Sequence, residues 1–217
     1  MKKGLGIWLA IGIIILLSVL AISAIVRGRA TAPSPVAAGA RLDAVSTTDH
    51  LLGSASAQVT LVEYGDFQCP ACAVFDPMVR QLATEFGDKL AIVYRNFPLR
   101  QIHPNADSSA QAAEAAALQG KYWEMHALLY DRQKSWERDL RAKQIFAGYA
   151  TELGLDQVKF IVDLESGAVK GKVEGDLQSG NKVGVTYTPS FFVNGTLIQN
   201  PTNYEGFRLL IQTALTQ

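Results

Sequence analysis

The chain contains two cysteines, Cys69 and Cys72, with only Pro70 and Ala71 between them. Residues three apart on a helix share a face and lie close enough for the short Cα separation of a disulfide, so this pair can open and close. Upstream, residues 58–64 alternate and are rich in Val, Thr, Leu and Tyr, the pattern of a core strand, which breaks at Gly65-Asp66. Downstream, Pro70 suits the first turn of a helix, and Val74, Phe75, Met78, Val79, Leu82 and Phe86 recur at helical spacing until Gly87. The cysteines are therefore expected at a helix N-terminus, where unpartnered amides and the helix dipole favour thiolate over thiol. Cys69 is expected to be the exposed nucleophile, and Cys72, one turn in, the resolving thiol that attacks a mixed disulfide.

The residues alone leave other uses of two thiols open. A C-x-x-C pair can be half of a structural zinc site, but such a site needs further ligands, and only His50, His103 and His126 could add nitrogen. A purely structural disulfide would close so short a loop that it removes little chain entropy. Redox chemistry is preferred, with no metal and no cofactor assigned. Glu63 lies six residues before Cys69. Alternation places it on an inner face beneath the helix, where a carboxyl has a raised pKa and can relay a proton to or from Cys72. An edge or solvated strand glutamate fits the same spacing. Thr188-Pro189 is an X-Pro step leading into a strand, for which sequence physics alone favours trans. His103 reads as a structural or helix-capping residue, and Trp123 and His126 as packing on an amphipathic face.

The elements that must position these residues follow from periodicity. Residues 90–97 read as a second strand, giving a βαβ unit. Residues 106–117, 122–130, 140–153, 157–164 and 169–182 are helical candidates. Residues 190–193 and 196–198 flank Asn194-Gly195, a strong hairpin signal, and residues 204–214 close the chain as an amphipathic helix. A βαβ half and a ββα half separated by helices predict an α/β thioredoxin-like fold carrying an inserted helical domain at about residues 100–183.

The formal net charge of zero gives no sign of nucleic acid or of a strongly acidic partner. Residues 5–26 carry no charge, and at about 1.5 Å per helical residue they span roughly 33 Å, enough for a transmembrane helix. Although Ala30-Thr31-Ala32 has the form of a cleavage site, residues 1–29 are expected to be an uncleaved signal anchor, because the apolar run is longer than that of a signal peptide. Lys2 and Lys3 balance Arg27 and Arg29, so charge does not orient the anchor. Residues 30–50 read as a flexible tether, and residues 51–217 as one globular domain.

Several separated stretches then share one resemblance: residues 59–72 through the two cysteines, Arg95-Asn96-Phe97-Pro98-Leu99, His103-Pro104-Asn105-Ala106, residues 121–126, and residues 184–195 through Thr188-Pro189. From about Asp49 to the C-terminus the chain resembles the DsbA-like branch of the thioredoxin superfamily, in particular the membrane-anchored oxidoreductases of bacterial envelopes. The resemblance implies that Cys69–Cys72 is the redox-active disulfide, Glu63 the buried acid and Pro189 a cis-proline facing the disulfide. Thr188, Pro70 and Ala71 would then contact clients. It further implies a single-pass inner-membrane protein with its domain outside the cytoplasm, where disulfides persist. Its partners would be unfolded or reduced extracytoplasmic proteins, together with a membrane redox partner that re-oxidises the pair. The best-known oxidants of this family carry histidine where Ala71 stands, and alanine cannot help stabilise a thiolate. Disulfide donation is the expected direction. A reductase or isomerase is the runner-up, and an anchored metal-binding or chaperone module is the alternative from another class.

Overall fold

In the computed structural model, residues 42–217 are described; the expected signal anchor, its transmembrane span and the first part of the tether lie outside them. No helix among the described residues is long and apolar enough to cross a membrane. The elements run β1 (His50–Leu52), β2 (Val59–Gly65), α1 (Pro70–Phe86), β3 (Leu90–Asn96), α2 (Ala106–Ala117), α3 (Tyr122–Asp131), α4 (Gln133–Trp136), α5 (Ala142–Glu152), α6 (Gln157–Leu164), α7 (Gly167–Lys182), β4 (Ser190–Val193), β5 (Thr196–Leu197) and α8 (Tyr204–Ala214).

The five strands form one mixed sheet in the order β1-β3-β2-β4-β5. β2 and β3 pair in parallel, as a strand, crossover helix and strand require, and the other pairs are antiparallel. Asn194 and Gly195 take φ of 48° and 81°, the turn that an Asn-Gly pair favours between two strands. Alternation along β2 divides the core. Val59 and Leu61 face α1 and α8, where Val79, Leu82, Phe207 and Ile211 close over them. Val62 and Tyr64 face the other way, against Phe97, Val183 and Phe192. Helices α2 to α6 bury their own core around Met125, Leu129, Trp136, Phe146 and Phe160, and this core runs up to Cys69 and Cys72.

Two differences from the sequence reading have local causes. The tether assigned to residues 30–50 is held down over its described part. Arg95, buried on β3, donates to Asp49 Oδ1 and Oδ2 at 2.9 and 3.0 Å and to the Asp43 carbonyl at 3.1 Å, and His50 already belongs to β1. The helix expected over residues 140–153 begins only at Ala142, and the unforeseen short helix α4 precedes it.

Candidate redox site

Cys69 is the N-cap of α1 with extended backbone (φ −69°, ψ 122°), and Pro70 occupies the first helical turn, where its missing N–H costs nothing. The loop from β2 is closed by Cys69 N–H donating to the Asp66 carbonyl at 2.9 Å. The inserted domain clamps the same loop from outside: Gln133 Nε2 donates to the Phe67 and Cys69 carbonyls at 2.7 and 3.0 Å. Gln68 Nε2 reaches the Glu137 carbonyl at 2.6 Å, and Gln68 Oε1 accepts the Asn105 N–H at 2.6 Å. The position of the thiols is thus fixed from both halves of the molecule.

Both cysteines are free thiols. Contrary to the expectation of an exposed nucleophile, Cys69 is only 6% exposed; Cys72 is wholly buried. The helix start recesses the Cys69 sulfur while leaving Pro70 and Ala71 exposed beside it. The two thiols titrate in opposite directions. A hydrogen bond from Cys72 lowers the Cys69 pKa to about 5, helped by the Thr188 side chain and by the backbone amides of Cys72 and Ala71, against the opposing effect of burial. Burial pushes the Cys72 thiol well up, and its hydrogen bond to Cys69 and the nearby charges of Glu63 and Cys69 push the same way. Only Cys69 is a thiolate at neutral pH.

Glu63 lies on the α1 face of β2, buried, and among the described residues its Oε1 has no hydrogen-bond partner. Burial raises its pKa well above the ordinary value, and the charges of Asp76 and Cys69 add to the rise. Beside it, a largely apolar cavity of about 70 Å³ is lined by Leu52, Val79, Ile92 and Trp123 together with Glu63, Asp76 and His126. Asp76, which spacing did not single out, is pushed up to about 6, chiefly by burial. Burial takes His126 down to about 3, so it is a neutral packing residue.

On the other side of Cys69, Thr188–Pro189 is cis, and the Cys69 thiol donates to the Thr188 carbonyl at 3.4 Å. Thr188 and Pro189 are buried, and Tyr187 next to them is half exposed. Cys69, Pro70, Ala71, Cys72, Thr188 and Pro189 therefore meet at the start of α1, and Glu63 lies beneath the helix on β2. His103 does not cap α2, whose N-cap is Asn105. Its Nδ1 instead donates to the buried Asp66 Oδ2 at 2.7 Å. The other histidines lie elsewhere, His50 on Glu114 and His126 beside Asp76. Among the described residues no cluster of three or more His, Cys, Asp or Glu is arranged to hold a metal ion.

A dithiol at the N-terminus of the helix after the first parallel strand, facing a cis-proline loop, defines a thiol–disulfide oxidoreductase site on a thioredoxin-like fold. A family model described as Thioredoxin matches residues 45–213, and the chain belongs to that family. The solved structure of a thioredoxin-like oxidoreductase from Silicibacter pomeroyi is 26% identical with a TM-score of 0.67, covering 79% of this chain and 95% of that one. Oxidised BdbD from Bacillus subtilis shares the fold at 23% identity and a TM-score of 0.70, covering 78% of this chain and 94% of that one. Among curated relatives, the Na(+)/H(+) antiporter NhaA 3 of Salinispora tropica is 39% identical over 166 residues, which are 76% of this chain and 24% of the antiporter. The chain thus spans about a quarter of the length of that relative.

Proposed function

We propose that this protein is an oxidant that donates its Cys69–Cys72 disulfide to cysteines of extracytoplasmic proteins while anchored to the inner membrane by residues 5–26. The observation that carries the direction is the opposite ionisation of the two thiols at one helix start. A low-pKa Cys69 stabilises the reduced form, and a stabilised reduced form makes the disulfide a stronger electron acceptor.

In the proposed cycle a client thiolate attacks Cys69 Sγ. The Cys69–Cys72 bond breaks, a mixed disulfide forms, and Cys72 leaves as a thiolate that takes a proton from Glu63. A second client thiolate attacks the client sulfur of the mixed disulfide, forming the client disulfide and releasing Cys69 as a thiolate. Two electrons have passed from client to protein, and a membrane redox partner would remove them again. The exposed Pro70 and Ala71, with the Thr188 carbonyl, form the surface against which an extended client segment would lie. The uncharged span of residues 5–26 and the instability of disulfides in the cytosol support the location. The test is full-length oxidised protein mixed with a reduced, unfolded protein substrate. Stoichiometric transfer of the disulfide to the substrate is the expected result; disulfides in the substrate being reduced instead would reverse the direction.

A further inference from the structure

Pro70 and Ala71 place no charge beside Cys69, so any cation that helps hold its thiolate must come from another part of the chain. The loop before α1 brings one close. Asp66, whose carbonyl accepts the Cys69 N–H, has its carboxylate buried. Oδ1 accepts the Gln68 N–H at 2.8 Å, and Oδ2 accepts the Leu99 N–H at 2.9 Å together with His103 Nδ1 at 2.7 Å. Because every contact is one the carboxylate accepts, the His103 ring donates. An isolated buried carboxylate one loop from Cys69 would oppose a second negative charge there. The imidazolium of His103 offsets it.

Resting on the reading of Cys69–Cys72 as a redox pair, we propose that His103, protonated and held by Asp66, is the charge partner of Cys69. In that role it stabilises the Cys69 thiolate and makes the disulfide more oxidising. His103 contacts Asp66 of the β2–α1 loop, and the other charges that act on it are Cys69 at the start of α1 and Glu137 in the segment after α4. All three favour the imidazolium, and its pKa is raised, first by the hydrogen bond to Asp66, against the opposing effect of its partial burial. Coupling is reciprocal: whatever His103⁺ does for the thiolate, the thiolate does for His103⁺. The effect operates where both charges exist, above the Cys69 pKa of about 5 and below the raised pKa of His103, and fades as pH climbs past the latter.

The equilibrium that reads this is reduction by glutathione. Two glutathione thiols break the Cys69–Cys72 bond and become one glutathione disulfide, two electrons pass to the protein sulfurs, Cys72 keeps one proton, and the other leaves Cys69 for solvent. An opposite charge close by is worth about one pKa unit or more to a thiolate. His103→Gln is therefore expected to shift this equilibrium about tenfold toward retained disulfide near pH 6. The shift should shrink at high pH, where His103 is neutral in either case. A second measurement needs no substitution. Histidine-selective NMR on the full-length protein in detergent should show His103 titrating at higher pH in the dithiol form than in the disulfide form. An identical His103 titration in the two redox forms overturns the proposal while leaving the redox reading intact. A wild-type protein that fails to exchange with glutathione at all overturns the redox reading itself.

Discussion

Cys69 and Cys72 share a face of one helix yet have opposite acidities, because Cys69 receives hydrogen bonds at the helix start and Cys72 is sealed beneath it. The rate of Cys69 alkylation, followed against pH, should therefore rise with a midpoint near pH 5, with Cys72 unreactive at neutral pH. The sign for stability follows from the same depressed value. The Cys69 contribution is fully present above the ordinary thiol pKa of 9.0 and is lost as pH falls to about 5. The Tm of the dithiol form minus that of the disulfide form should rise between those limits. Glu63 works with the opposite sign, since a raised pKa destabilises the fold as pH climbs above 4.5. Glu63→Gln should raise the Tm, by more at pH 7 than at pH 5, and should slow exchange steps at Cys72, for which it no longer supplies or takes a proton. A Tm gain that does not grow with pH would contradict the buried-acid assignment. The cysteines and Glu63 were legible from sequence because their spacing is local. His103 and Gln133 were not, since their partners stand 37 and 64 or more positions away and no periodicity links them.

At the scale of elements, the sheet is held between α1 and α8 on one face and α7 on the other, and the α7 contact is tight. A Cβ on Gly180 would stand 2.6 Å from Phe97 Cδ2 and 3.0 Å from Tyr64 Cδ1. In an open helix, Gly→Ala stabilises by about 1 kcal/mol. Here overpacking reverses the sign, and Gly180→Ala should destabilise by about 1–3 kcal/mol in urea unfolding. A stabilised variant would mean that α7 packs more loosely on β2 and β3. The longer elements were readable because each repeats its period several times, as α1 and α8 do, and the βαβ half then implies the parallel pairing of β2 with β3. β1 and α4, three and four residues long, are too short to carry a period. They are fixed by tertiary partners, β1 by its antiparallel register on β3 and α4 by Gln133 reaching the redox loop.

For the whole molecule, the proposed division of labour is an anchor in the membrane and a redox domain outside the cytoplasm. A reporter that is active only outside the cytoplasm, fused after Gln217, should be active. Activity of a cytoplasm-only reporter at the same position would contradict the proposed location and, with it, a role in forming disulfides. Exchange itself requires that Cys69 alone attack and be attacked, and that Cys72 alone resolve the product. The most direct measurement is covalent capture by full-length Cys72→Ser and Cys69→Ser proteins expressed in cells and resolved without reductant. Cys72→Ser should accumulate reductant-sensitive adducts with client proteins, because the mixed disulfide on Cys69 has lost its resolving thiol, whereas Cys69→Ser should form few. Equal capture by the two variants, or none by either, would contradict exchange through Cys69.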